Sequence, residues 1–312
     1  MAMLILRHLE HIRRRLPAPV LTLGNFDGVH RGHQEILRRL VARAQTVNGT
    51  AVVLTFSPHP TAVLAPEHAP RLLTDWRGRV DRIAAAGADV VLFERFTRAF
   101  SEIGATDFVR RLLVERLGVH TVVVGHRVSF GHHREGTAES LQRFGTQFGF
   151  HVEIVGPVEV DGVVASSSAV RAAVRGGDLA AARAYLGRAP SVAGRVRHGQ
   201  HRGKGLGFPT ANLHVDTMVL PPDGVYAVRV NVDGHRHPGV ANLGFNPTFT
   251  EHAHRLEAHL FDFEGDLYGR RIEVEFIKRL RGEIQFASVQ ALVEQIGRDA
   301  AAAHQALADG DR

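Results

Sequence analysis

Cysteine is absent from all 312 residues. Disulfides, thiolate catalysis and every Cys-ligated zinc or iron–sulfur site are therefore excluded. No apolar run approaches the roughly 18 residues that a membrane-spanning helix needs. The apolar start, Met1 to Leu6, precedes the basic Arg13-Arg14-Arg15. That is the reverse of a secretory leader, so a cytoplasmic location is expected. Lysine is nearly absent: of 38 basic side chains, only Lys204 and Lys278 are lysines. The arginine excess fits either a GC-rich coding supply or an anionic ligand, whose phosphates match the guanidinium fork. Aromatic residues are 7% and the arginines are scattered rather than striped, which argues against nucleic acid and for small-molecule partners. Repeats and low-complexity tracts are also missing, and nothing in the chain reads on oligomeric state.

What is present is ordinary globular material, 44% hydrophobic, long enough for two domains. Apolar, β-rich runs at 20–24, 51–56, 89–93, 121–125 and 151–155 read as buried strands. Between them, 33–44, 76–86, 105–117 and 139–148 carry apolar residues at helical spacing. Strands alternating with helices predict a parallel sheet covered on both faces. An Ala-rich helix at 179–186 ends at the break Gly187-Arg-Ala-Pro190. Beyond it the pattern becomes short strands at 192–196, 210–213, 224–232, 239–243, 255–261 and 271–276, with turn signals such as Asp233-Gly234. That predicts a small antiparallel β module, closed by an amphipathic helix at 289–296 and a frayed tail. The expected division is 1–186 and 187–312.

The junction of the first strand and helix carries His30-Arg-Gly-His33. Two imidazoles and free backbone N–H groups at a helix start make an anion site. They can neutralise charge building on an α-phosphate as pyrophosphate leaves, without a covalent intermediate. Ser166, Ser167 and Ser168 open a further helix with Arg171 one turn inside. They read as a second anion site or as plain N-capping. In the second half, the glycine-rich stretch at Gly203, Lys204, Gly205 and Gly207 could wrap a phosphate or be a flexible hairpin loop. It is no Walker A loop, because no Ser/Thr follows the Lys and no helix follows the loop. Thr210 and Asn212 share one face of the next strand and are hard oxygen ligands suited to Mg²⁺ carrying ATP phosphates. Glu257, on a later strand, reads as a general base for an alcohol or as an exposed strand carboxylate. Twenty histidines include the pairs His132-His133, His235-x-His237 and His252-x-His254. None has zincin spacing, so a transition metal is not expected.

Residues 24–33 (Gly-Asn-Phe-Asp-Gly-Val-His-Arg-Gly-His), 55–60 (Thr-Phe-Ser-Pro-His-Pro) and 166–171 (Ser-Ser-Ser-Ala-Val-Arg) resemble the nucleotidyltransferase module of prokaryotic bifunctional riboflavin kinase/FAD synthetases. The resemblance implies a Rossmann-like FMN adenylyltransferase domain that transfers AMP from ATP to FMN. His30 and His33 would then stabilise the α-phosphoryl transition state. ATP would lie against Gly24, Phe26, Asp27, Gly28, Arg127, Ser166, Ser167, Ser168 and Arg171, and the flavin phosphate near Pro58, His59 and Pro60. Residues 203–212, 222–226, 239–248 and 266–269 resemble the riboflavin kinase module of the same family, in its order. That implies a six-stranded antiparallel barrel with a terminal helix. Gly203, Lys204, Gly205, Gly207, Thr210 and Asn212 would bind Mg-ATP, Glu257 would deprotonate the ribityl hydroxyl, and Arg281 and Phe286 would lie on the flavin side. The family usually shows Gly-x-Asn/Asp-Phe-x-Phe-Gly where this chain has Gly125-His-Arg-Val-Ser-Phe-Gly131, so Arg127 and Val128 depart from it. The expected activity is riboflavin to FMN to FAD with ATP and Mg²⁺. The alternatives are a kinase with a degenerate or re-tuned adenylyl module, and a non-catalytic flavin-sensing or nucleic-acid-binding protein.

Overall fold

In the computed structural model, which describes residues 3–9, 12, 15–198, 208–245 and 254–309, the chain divides into two compact units. One is Met1–Pro70 with Trp76–Ser166; the other is Arg71–Asp75 with Ser167–Arg312.

The first unit is the expected parallel sheet. Its strands are β1 (Leu4–Arg7), β2 (Val20–Leu23), β3 (Ala51–Ser57), β4 (Val90–Arg95), β5 (Thr121–Gly125) and β6 (His151–Val155). They lie in the order β1-β4-β3-β2-β5-β6, every pair parallel. Side chains alternate between the two faces. Leu21, Leu54, Leu92 and Val122 face Leu113 and Leu141 on one side, while Val53, Val91 and Val123 face Leu37, Leu40 and Ile83 on the other. The covering helices are α1 (Arg31–Thr46), α2 (Pro60–Leu64), α3 (Trp76–Ala85), α4 (Arg98–Ser101), α5 (Ala105–Asp107) and α6 (Ala138–Phe148), and a small hairpin, β7 (Glu159–Val160) with β8 (Val163–Val164), follows. The 105–117 segment is not one α-helix: after α5 it winds as a π-helix, Phe108–Arg116, still burying Phe108, Val109 and Leu113. From β2 the chain leaves to β3 on one side and later returns to β5 on the other. That switch opens a crevice at the carboxyl ends of β2 and β5.

The second unit holds α7 (Ser167–Arg175), α8 (Leu179–Leu186) and strands β9 (Ser191–Arg195), β10 (Ala211–His214), β11 (Gly224–Val232), β12 (His235–Phe245), β13 (His254–Leu260) and β14 (Arg271–Arg281), ending in α9 (Val289–Asp309). The strands pair antiparallel in the order β10-β13-β12-β11-β14-β9. The Arg197 N–H donates to the Asn212 carbonyl at 2.9 Å, drawing the two edges into a nearly closed barrel filled by Tyr226, Val228, Leu243, Leu256, Val274 and Phe276. The tail beyond 296 is helical to Asp309 rather than frayed. Ala303, Ala306 and Leu307 pack on Val225, Ala227, Val240 and Phe261, so small residues that look tail-like in sequence let the helix lie close to the barrel.

Packing sets the start of this unit ahead of the Gly187 break. Leu73, Val170, Val174, Ala182, Leu186 and Val219 form one cluster. The 71–75 segment joins it as a strap: the Leu72 N–H donates to the Thr217 carbonyl at 3.0 Å, the Val219 N–H donates to Leu72 at 2.8 Å, and Arg271 forks onto Asp75 at 2.8 and 2.9 Å. A fragment of residues 187–312 strips Val219 of the other five members of that cluster, and each large apolar side chain uncovered costs about 1.5–3 kcal/mol. We expect fragment 167–312 to melt cooperatively and several degrees above 187–312, both phosphorylating riboflavin at low temperature. Equal melting temperatures would show that α7 and α8 add nothing to the barrel.

Candidate functional site

The crevice of the first unit is a cavity of about 830 Å³, well within the size of a ligand site. Its floor is the β2–α1 junction. His30 caps α1, its Nδ1 accepting the His33 N–H at 3.4 Å, which is why the helix starts at Arg31 and not at His33. The two imidazoles stack with centroids 3.7 Å apart, and Phe26 packs on His33 at 5.0 Å. Gly32 permits this: a Cβ there would lie 3.1 Å from the Ala165 carbonyl and 3.2 Å from the His30 ring. Phe26 and Val29 hold φ of +48° and +41°, strain of the kind that collects at functional sites. His33 is pushed well below the ordinary imidazole pKa, first by burial, then by the neighbouring His30 and by Arg79. Its Nδ1 is enclosed without a hydrogen-bond partner among the described residues. At neutral pH this is an uncharged imidazole at a helix N-terminus.

Gly24, Phe26, Pro60, Arg127 and Ser166 line the cavity with His30 and His33. Asp27 is buried on the same loop. His59 caps α2 by accepting the Thr61 N–H at 3.3 Å, and its Nε2 pairs with the Asn25 amide at 3.1 Å; Pro58 precedes it. Gly28 takes φ +84°. Ser167 and Ser168 begin α7 in the second unit, where the Arg171 Nε–H donates to the Arg71 carbonyl at 3.0 Å. The sequence reading did not find the aromatic wall of the cavity. Phe56, Phe96 and Phe100 meet within 5.7–5.8 Å of one another, Phe100 meets Phe108 at 6.3 Å, and Phe108 meets Phe130 at 5.4 Å. These rings come from separate strands, helices and loops, so no local pattern announces them. Gly131, at φ +74°, lets the loop pass against Ala105, where a Cβ would sit 2.6 Å from the backbone nitrogen. Arg127 is exposed on the cavity rim.

In the second unit the antiparallel register sets Asn212 of β10 opposite Glu257 of β13, and Glu257 opposite Asn242 of β12. Directly opposed residues share a face, so the three make one polar row. Asn242 is the member that sequence reasoning missed. The Asn212 amide nitrogen donates to the Thr210 carbonyl at 3.4 Å, leaving its buried Oδ1 without a partner among the described residues. An orphaned, buried amide oxygen fits a hard cation. Glu257 is partly exposed, with the Arg255 guanidinium 3.9 Å away. Arg281 forks onto the buried Asp299 at 3.0, 3.1 and 2.7 Å and lies 5.9 Å over Phe286. It thereby ties β14 to α9 beside the 282–288 loop, where Ile284 is left 50% exposed. Gly203, Lys204, Gly205 and Gly207 lie outside the described residues. Among the described residues no group of three His, Asp or Glu converges as a metal site.

Residues 13–169 match the FAD synthetase family and residues 186–307 the riboflavin kinase family. A bifunctional riboflavin kinase/FMN adenylyltransferase of Pseudomonas fluorescens is 43% identical over 96% of this chain and 97% of its own. A bifunctional riboflavin kinase/FMN adenylyltransferase of Escherichia coli strain K12 is 42% identical over 90% of each chain. A solved structure from Streptococcus pneumoniae, described as a macrolide-efflux protein, superposes with a TM-score of 0.83 at 31% identity, covering 96% of this chain and 97% of its own. That description is of the streptococcal protein; no described helix here is long and apolar enough to cross a membrane.

Proposed function

As the chain belongs to the bifunctional riboflavin kinase/FMN adenylyltransferase family and makes FMN and then FAD from riboflavin and ATP, we propose how its own residues divide the two reactions. Matches to both families and relatives covered over 90–97% of their length favour this activity over a kinase-only or non-catalytic protein. The observation that carries the assignment is the stacked His30–His33 pair at the start of α1 on the floor of the aromatic-walled cavity.

In FAD formation, an FMN phosphate oxygen attacks the α-phosphorus of ATP; the new P–O bond replaces the bond to the β-phosphate, and pyrophosphate leaves. The flavin ring stacks on the Phe56–Phe100–Phe130 side of the cavity. The reacting phosphates lie over α1, where His30, His33 and the helix N-terminus receive the charge that builds on the α-phosphoryl oxygens. Gly24, Phe26, Asp27 and Gly28 bring backbone close to the nucleotide, and Asn25 with the Pro58-His59-Pro60 loop positions the flavin phosphate. Ser166 adds a hydroxyl to the cavity; the triphosphate role of Ser167, Ser168 and Arg171 rests on the sequence motif.

In FMN formation, the ribityl hydroxyl attacks the γ-phosphorus, ADP leaves, and Glu257 takes the hydroxyl proton. Thr210 and Asn212 would hold Mg²⁺, whose chemistry is to neutralise ATP phosphate charge; the orphaned Asn212 Oδ1 supports this. Arg281, engaged by Asp299, orients the Phe286 loop beside the flavin. A chain without cysteine that consumes ATP suits the cytoplasm. Incubating the full chain with riboflavin, ATP and Mg²⁺ and separating the flavins by HPLC tests the whole scheme. FMN followed by FAD supports it, FMN alone leaves only the kinase half, and neither product overturns it.

Arg127 adds a fixed, donor-only charge to the rim where the family carries Asn or Asp. Val128 offers no ring to support the pocket. We propose a working adenylyl site with weakened ATP affinity. Arg127→Asn with Val128→Phe should lower the KM for ATP in FAD formation and leave FMN formation unchanged. A drop in activity, with the wild type preferring another triphosphate, would instead mark a re-tuned site.

A further inference from the structure

Arg79 on α3 is a charged residue placed where its helix otherwise buries apolar side chains: it is 4% exposed, beside the buried Val80 and Ile83. Burying a guanidinium costs several kcal/mol of desolvation, and a shape-matched apolar residue packs such a position at least as well. Packing alone therefore does not explain it. Its Nη1 reaches two acceptors at once, the Thr55 hydroxyl at 3.2 Å and the Phe56 carbonyl at 3.3 Å. The hydroxyl of Thr55, itself fully buried, donates a hydrogen bond to the Asn25 carbonyl at 3.2 Å. The Asn25 side chain then meets His59, which caps α2. One buried cation thus fastens the end of β3 to both loops that enter the cavity, the one after β2 and the one after β3. Asn25, Phe56, Pro60 and Thr61 all line that cavity. The guanidinium also lies within electrostatic reach of His33 and helps keep that imidazole neutral.

We propose that Arg79 is a positioning residue for FAD formation, acting through Thr55, Phe56 and Asn25 to hold the two cavity loops in register with the His30–His33 pair. This rests on the adenylyltransferase reading of the cavity. The chain runs through direct hydrogen bonds: the Thr55 hydroxyl accepts from Arg79 and donates its one proton to the Asn25 carbonyl. Removing the cation frees both loop anchors together. Misplacement of reacting groups by about 1 Å costs roughly a hundredfold in rate, so the effect belongs in kcat.

The test uses the full-length chain. Arg79→Gln should lower kcat for FAD formation about tenfold to a hundredfold with KM for FMN and ATP within about threefold. Arg79→Lys, which keeps the charge and can reach one or both acceptors, should recover part of it. Thr55→Val, nearly isosteric, should lower kcat in the same way, and the double variant should be no worse than the poorer single one, because one chain has been cut twice. If Arg79→Gln fails to fold, Thr55→Val decides alone. Wild-type kcat in a folded Arg79→Gln or Thr55→Val, additive losses in the double variant, or activity that falls only in step with the folded fraction would each overturn the proposal. A wild-type chain that made no FAD would defeat the adenylyltransferase reading instead, so the two failures are distinguishable.

Discussion

The double replacement His30→Ala, His33→Ala abolishes FAD formation while riboflavin phosphorylation by the same molecule stays within about threefold. Each electrostatic donor aimed at a developing oxyanion typically contributes about 10²–10³ in rate. Two that act on one phosphoryl group are expected to remove at least about 10³ together. The rings are stacked at 3.7 Å, so the single replacements are not independent: losing His30 also removes the acceptor of the His33 N–H, and each single variant should lose most of what the double loses. The measurement is steady-state FAD formation from supplied FMN, with FMN formation from riboflavin read in parallel. Loss of both activities in a folded protein would mean that the two reactions share a site.

The depressed pKa of His33 gives this prediction a pH signature. A buried imidazole whose folded-state pKa lies below its unfolded value binds its proton more weakly in the folded chain. Folding is then favoured above about pH 6.5, the ordinary value, and that contribution is lost as pH falls through the folded-state pKa. FAD formation should accordingly hold level across neutral pH and fail only on the acid side. His33→Ala should flatten the acid-side loss of stability of the first unit in thermal melts taken from pH 8 to pH 5.

Glu257→Ala is expected to be the converse. General-base removal typically costs about 10²–10⁴, so FMN formation should fall into that range while supplied FMN is still converted to FAD at the wild-type rate. Glu257 sits in register with Asn212 and Asn242. Replacing Glu257 by Gln keeps the row's size and polarity but not its basicity. Equal losses in Ala and Gln therefore assign the effect to proton transfer; retention of activity in Gln would reduce Glu257 to a structural member of the row. The Arg255 guanidinium 3.9 Å away stays in place in both variants, so its charge does not confound the comparison.

The sequence by itself determined the features that act over a few residues. Alternating β-rich runs and helical spacings specify a covered parallel sheet, because each run must bury its apolar face within its own length. His30-Arg-Gly-His33 is legible as an anion site because helix N-termini always present free N–H groups. Thr210 and Asn212 are legible as neighbours because they stand two residues apart, although β10 begins only at Ala211 and leaves Thr210 just ahead of it. Tertiary structure decided the rest. Strand β1 has only four residues and exposes Leu4 and Ile5, so it shows no period, and only its pairing with β4 makes it a strand. Asn242 joins Glu257 and Asn212 through antiparallel register, where a slip of one residue would turn it to the other face. The phenylalanines of the cavity wall, and Arg79 beneath it, converge from segments far apart in the chain. The alanines after residue 296 read as a loose tail until the barrel gives them a surface, since small side chains gain little alone and much when two backbones can approach. Helices α7 and α8 belong with the barrel because Val219 and Leu73 complete their apolar face. Burial between distant residues, which no local pattern encodes, made those choices.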